Sequence, residues 1–308
     1  MGEEQLRLIL KNYISQLKEQ HALPIGGVAD YYTEAKTVIE LASAVNGAIA
    51  AKLPYLVVGA GNRVLFSDGG YPGLLIRNMS GALMHSTDRS QVVVDSGVLL
   101  NRLVTQTVSW ELGGLTPFFG QTATVGGALY NNLTVSGYRF AATLRSVTIL
   151  VPPTKLTPEA KIIRQPASWL FNQAEEDSRL RRLSKEGKGT TLLPIILTAN
   201  LQLTSNRGGE LLGQIRRSSQ LLAPVPRNVT GPLFVELPNG ALSGLLKGVG
   251  KGLRIGDCGL YKGSKNYAES RGKMRASDLR QLITTIEQRV LQTNGVNLIS
   301  RYEYLGVW

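Results

Sequence analysis

The residues whose types and spacing could do chemistry in this chain are glycines and hydroxyls that follow apolar runs. Val57-Val58-Gly59-Ala60-Gly61-Asn62-Arg63 ends a short apolar stretch in a loop with few side chains. Such a loop lets backbone N–H groups approach a phosphate closely. It is not the usual dinucleotide fingerprint, because Val64 stands where G-x-G-x-x-G needs its third glycine. Further on, Gly120-Gln121-Thr122-Ala123-Thr124-Val125-Gly126-Gly127-Ala128 again combines small residues with hydroxyls. The cluster from Gly248 to Gly252 fails as a P-loop, with Leu245 at the first glycine position and Gly252 where Ser or Thr would hold magnesium. The plainer reading of every such glycine is a turn that needs positive φ.

Other chemistries are poorly supplied. One cysteine, Cys258, and two histidines, His21 and His85, offer no metal-ligand spacing, no internal disulfide and no histidine-based triad. Against this, 34 Lys and Arg face 22 Asp and Glu, a net charge of +12. That balance favours an anionic partner: nucleic acid, an acidic membrane surface or a phosphorylated small molecule.

The elements that must position the loops read as a β/α alternation. Leu6, Ile9, Leu10, Tyr13, Ile14 and Leu17 predict an amphipathic first helix. A helix is expected around Glu34 to Ala50, strands at Tyr55 to Val58, Leu74 to Arg77 and Gln91 to Asp95, a helix at Leu99 to Thr107 and a strand at Ser146 to Val151. Pro152, Pro153 and Pro158 mark a break. The segment from Asp177 to Lys188 reads as an exposed basic loop or helix before the strand-like Ile195 to Leu203, and Pro224, Pro226, Pro232 and Pro238 punctuate a second irregular stretch. Asp278, the stripe Leu279, Leu282, Ile283, Ile286 and Val290, and the closing Asn294-Gly295 predict a final helix. No run approaches the roughly eighteen apolar residues of a membrane helix. The acids near the start do not suit a signal peptide, so a cytoplasmic protein that does not enter the membrane is expected.

Taken together, Gly26 to Ala29, Gly59 to Asp68, Gln121 to Ala128 and Gly295 to Gly306 are similar to the G-G-x-A, G-G-G-S-N-L-L-x-x-D, I-P-G-[ST]-V-G-G-A and C-terminal L-E-P-E-V elements of one family. The chain resembles the UDP-N-acetylenolpyruvoylglucosamine reductases, also called UDP-N-acetylmuramate dehydrogenases. Leu245-Leu246-Lys247-Gly248 and Ser264 to Tyr267 match two further elements, G-L-K-G and H-A-N-F. The resemblance implies an α+β fold: the FAD-binding fold of the vanillyl-alcohol oxidase type, in two subdomains at 1–78 and 79–204, with a C-terminal α+β substrate domain at 205–308. It implies FAD, with NADPH as reductant if catalysis is retained, and a role in peptidoglycan precursor synthesis. Carried over by motif, the cofactor residues are Gly59, Ala60, Gly61, Asn62, Arg63, Val64, Asp68, Thr122, Ala123, Thr124, Gly126, Gly127 and Ala128.

The catalytic positions depart from the family. A serine that protonates carbon, with an arginine and a glutamate that stabilise the enol intermediate, is what the resemblance implies. Pro232 stands at the serine, Glu176 at the arginine and Arg301 at the glutamate, so no catalytic residue is assigned. Thr230, Arg179 and Glu303 are the nearby substitutes of suitable type. A UDP-sugar or another anionic small molecule is the expected partner, through Lys247, Lys251 and Arg254 in a basic stretch that runs on to Arg275. Nucleic acid is the weaker reading, because only Tyr261 and Tyr267 interleave that stretch with aromatic rings. Two functions stay open: a divergent flavin-binding member of the family, and a catalytically silent binding or regulatory protein on the same scaffold that recognises a nucleotide sugar, another polyanion or a protein partner.

Overall fold

The structure, a computed structural model, describes residues 25–88, 90–153, 159–171, 177–186, 193–206, 210–211, 213–215, 217, 226, 228–237, 240–249 and 252–308. The expected N-terminal helix, Glu176, Lys188, Lys251, Pro224 and Pro238 lie outside them. In chain order the main elements are β1 (Ala29–Ala35), α1 (Val38–Ala50), β2 (Tyr55–Val58), β3 (Val64–Phe66), β4 (Tyr71–Asn78), β5 (Leu83–His85), β6 (Gln91–Asp95), α2 (Leu100–Ser109), α3 (Val125–Tyr130), β7 (Leu144–Val151), β8 (Lys161–Pro166), α4 (Arg179–Glu186) and β9 (Ile195–Gln202). There follow β10 (Val229–Pro232), α5 (Ala241–Val249), β11 (Arg254–Ile255), β12 (Cys258–Leu260), β13 (Tyr267–Ser270), α6 (Ala276–Asn294) and β14 (Glu303–Leu305). Helix α1 starts later than its apolar spacing suggests. The Thr37 hydroxyl accepts the Glu40 N–H at 3.1 Å and caps the helix there. Residues 29–35 run instead as a strand.

Two compact units result. Among the described residues the first takes 33–60 and those from 74 to 217, and the second takes 25–32, 61–73 and those from 226 to 308. These units cut across the segment boundaries expected at 78/79 and 204/205.

In the first unit, β2 and β4 pair in parallel with Tyr55 opposite Leu74, and Leu74, Leu75 and Ile76 of β4 are all buried. An antiparallel sheet has the order β8-β7-β9-β6-β5. In β6 the residues alternate, Val92 and Val94 inward and Val93 outward, as a strand with one covered face requires. The inward residues join Leu100, Leu103 and Val104 of α2 and Val125 and Leu129 of α3 in one core. There Phe118 and Phe140 meet edge to face at 5.3 Å.

The second unit holds the antiparallel sheet β10-β13-β12-β11. Leu279, Leu282, Ile283, Ile286 and Val290 of α6 share a core with Leu242 and Leu246 of α5. Strand β14 pairs in parallel with β3, Glu303 opposite Val64 and Leu305 opposite Phe66. Gly306 has φ +94, and a Cβ there would strike the Gly70 carbonyl.

Candidate functional site

Within the first unit, the start of the first glycine loop meets the second. Gly59 follows β2, and a Cβ built on it would fall against the Thr124 hydroxyl, 3.0 Å from Thr124 Cγ2. Thr124 is the N-cap of α3, where its Oγ1 accepts the Gly127 N–H at 3.2 Å. Gly126 and Gly127 sit in the first turn of that helix, so neither adopts the left-handed backbone that only glycine favours. At Gly126 smallness serves packing: a Cβ there would lie 3.0 Å from Ser96 Cβ and 3.1 Å from the Ser96 carbonyl. Positive φ occurs at the edges of the loops, at Gly61 (+72) and Gly120 (+82).

A third segment, residues 96–101, escapes the sequence motifs, and it staples the second loop in place. Gly126 N–H donates to Ser96 O at 2.8 Å, Val125 N–H to Val98 O at 2.9 Å and Leu100 N–H to Ala123 O at 2.9 Å. The Asn101 side chain accepts the Gly120 N–H. Behind it, the buried Asn78 amide donates to Ser96 Oγ at 2.8 Å and accepts the Ser80 N–H at 3.0 Å. Gly97 is forced to be small, since a Cβ would lie 2.6 Å from Ser80 N. The Asp95 carboxylate accepts the Ala82 N–H at 2.8 Å; its burial raises its pKa and that bond works the other way. The one sequence signal for this segment is Asn78-Met79-Ser80 at a strand end, followed by Asp95-Ser96-Gly97 at the next.

The loops fit a phosphate-bearing dinucleotide. Neither 59–63 nor 120–128 contains an acid, and Arg63 adds a positive charge. Among the described residues, the N–H groups of Gly59 and Ala60 donate to no backbone carbonyl. Thr122 is exposed, Ala123 half-buried and Ala128 packed into the core.

The remaining sequence-expected cofactor residues belong to the second unit. Asn62 is exposed, and Arg63 presents its carbonyl to Glu303 N–H at 2.8 Å. Val64 N–H closes the turn onto Gly61 O at 3.2 Å. Asp68 is occupied elsewhere, since its carboxylate accepts N–H bonds from Ala276 and Ser277, both at 2.9 Å, at the start of α6. Burial opposes its charge, yet the Ser277 hydroxyl, these two N–H groups and nearby Arg275 hold its pKa below the ordinary 3.8.

Pro232, Thr230 and Arg179, expected at or beside the acid–base positions, each have partners of their own. Pro232 ends β10 opposite Tyr267. Thr230 is buried, its hydroxyl donating to Gly231 O at 2.7 Å and accepting the Ala268 N–H at 2.9 Å. It also bonds the side chain of Tyr302, whose phenol burial pushes up to about 12. In the first unit, Arg179 stacks on Trp169, 5.1 Å from the ring centre. Asn266 holds the segment after Pro232: its Oδ1 accepts the Phe234 N–H at 2.8 Å and its Nδ2 donates to Phe234 O at 3.1 Å. Arg301 N–H donates to Leu233 O at 2.8 Å on the same segment. Of the basic residues expected to hold substrate, Lys247 is exposed on α5, and Arg254 pairs with Glu269 at 3.5 Å.

Residues 29–156 match the FAD binding domain family. The UDP-N-acetylenolpyruvoylglucosamine reductase of Rubrobacter xylanophilus is 28% identical over 293 residues, 94% of this chain and 93% of that protein. That of Chlamydia muridarum is 29% identical over 277 residues, covering 89% of this chain and 87% of its own. Over most of its length the chain is similar to the UDP-N-acetylenolpyruvoylglucosamine reductases. The crystal structure of the reductase from Thermus caldophilus shares its fold, with a TM-score of 0.72 at 24% identity over 95% of this chain and 98% of that one. The fold is thus the α+β FAD-binding fold of the vanillyl-alcohol oxidase type, with FAD as its cofactor. Among the described residues no helix is long and apolar enough to cross a membrane, and no group of three or more His, Cys, Asp and Glu could hold a metal.

Proposed function

We propose that this reductase relative is an FAD-binding protein of peptidoglycan precursor synthesis whose second unit has lost the reductase proton donor. The observation that carries the cofactor half is the fit of Gly59 against Thr124, with the Gly59 and Ala60 N–H groups donating to no backbone carbonyl among the described residues. Gly59, Ala60, Thr122, Ala123 and Thr124 of the first unit would hold the dinucleotide through main-chain N–H groups and hydroxyls. When bound, FAD supplies hydride chemistry. A reduction at carbon also needs a positioned proton donor. The Thr230 hydroxyl is already engaged on both sides, and Pro232 has no proton to give.

Protein purified without added flavin should show absorbance bands near roughly 370 and 450 nm that are released on denaturation. A colourless protein with no thermal shift on adding FAD would sink this reading. With NADPH and UDP-N-acetylenolpyruvoylglucosamine, turnover should fall far below the order of 10 s⁻¹ typical of enzymes.

A second reading, a silent binder of anionic ligands, is favoured by the loops around β13. Lys262, Arg271, Lys273 and Arg275 are exposed there. The neighbouring acids are engaged, Asp257 with Lys273 N–H at 2.9 Å and Asp278 with Arg275 at 3.1 Å. Calorimetric titration with UDP-N-acetylglucosamine, before and after Lys262, Arg271 and Lys273 are replaced by Ala, tests it.

A further inference from the structure

Gly59 and Thr124 are far apart in sequence, yet the side chain of one occupies the space a side chain on the other would need. Besides the hydroxyl, Thr124 Cγ2 and Cβ lie 3.0 Å and 3.2 Å from the Cβ position of Gly59. The same hydroxyl accepts the Gly127 N–H, and the Thr124 backbone bridges to Leu99. Thr124 is buried, and the hydroxyl has its bonding partner inside α3, so it has little room to turn aside. We propose that Thr124 is the positioning residue of the cofactor site: its one side chain fixes the first turn of α3 and sets how closely the first glycine loop can approach the second. The inference rests on the FAD reading above. It makes Gly59 a glycine because of Thr124, and it makes the two loops one mechanical unit.

The consequence is non-additivity, read as flavin affinity rather than as turnover. In the full chain, Gly59→Ala should push the loops apart and weaken FAD about tenfold, and Thr124→Ala, by losing the cap, should also cost about tenfold. Thr124→Ala removes both atoms that Gly59→Ala would strike first. The pair should therefore bind FAD no more than about threefold worse than either single variant. Thr124→Ser keeps the hydroxyl and should stay within about threefold of wild type. Quenching of flavin fluorescence on titration into apoprotein gives the affinities, and melting of each apoprotein shows which are folded at the titration temperature.

A double variant about a hundredfold weaker, the product of the two losses, overturns the proposal. So does a Thr124→Ser as weak as Thr124→Ala, which decides the matter alone should Gly59→Ala fail to fold. Wild type that takes up no FAD removes the flavin reading together with this inference. Wild type that binds FAD while the losses multiply removes only the coupling.

Discussion

The carboxylate of Asp68 accepts the main-chain N–H of Ser277 at 2.9 Å, although 209 positions separate them. Its other oxygen takes the Ala276 N–H, so a loop acid acts as the cap of helix α6. Its folded pKa lies below the ordinary 3.8. A depressed carboxylate contributes stability that is present above the unfolded value and lost as pH falls through the folded one. Asp68→Ala should lower Tm at pH 7, by at most about 1 kcal/mol of stability because the group is largely solvated. The gap between the two proteins should narrow once pH drops below that 3.8. Melts between pH 7 and pH 3 that keep a constant gap would show the carboxylate charge to be irrelevant.

Cys258 should be inert in the folded chain. Burial first, then the Asp278 charge, push its thiol up to about 12 against the opposing pull of Arg254. A thiol-reactive dye at pH 8 should label no cysteine in native protein and one per chain after denaturation. Native labelling at the denatured rate would mean that the sheet β10-β13-β12-β11 opens readily.

Thr230→Val should destabilise by about 1 to 3 kcal/mol, because it keeps the shape while leaving the Ala268 N–H and the Tyr302 hydroxyl without their partner. Thr230→Ser, which keeps the hydroxyl, should recover most of that loss in a denaturant titration. A Thr230→Val protein as stable as wild type, with altered turnover, would return Thr230 to the role of proton donor.

Adjacent glycines of α3 should respond differently to the same change. Gly126→Ala places a methyl against the Ser96 backbone and should cost about 1 to 3 kcal/mol as overpacking. Gly127→Ala meets only the Thr124 hydroxyl, at 3.3 Å, and gains helix propensity, so it should stay within about 0.5 kcal/mol of wild type. Thermal melts that reverse this order would contradict the packing of 96–101 against α3.

Much of the fold is readable from local pattern. Asp278, the apolar stripe and Asn294-Gly295 delimit α6, and Gly295 takes φ +67 as the closing residue. The strands Tyr55–Val58 and Gln91–Asp95 fall where alternation and apolar runs place them. The basic segment before β9 is helix α4, yet it is not the exposed face its composition suggests: Arg179 is exposed, but Arg181 and Arg182 are half-buried, Arg181 pairs with Asp177 at 3.0 Å, and Leu180 is buried. The glycine loops are readable as a pair through their likeness to one family. Nothing local marks Asn78, Ser80 and Ser96 as a cluster, since each reads as an ordinary polar residue at a strand end. Only the pairing of distant segments brings them together, as it gives Asp68, beyond β3, to a helix cap.

Strand β14 makes Val64–Phe66 wait for its partner. Ser67 N–H bonds Leu305 O at 2.9 Å, and Val307 N–H bonds Gly70 O at 3.1 Å, so the ladder continues past both strand ends. On the ribosome, the earlier strand emerges long before Glu303–Leu305 has been translated. Until then its edge is bare, and pairing must bridge the 239 positions from Val64 to Glu303, a topology that folds slowly and invites intermolecular pairing. Newly made chains of this protein should therefore depend on chaperones for the second unit more than for the first.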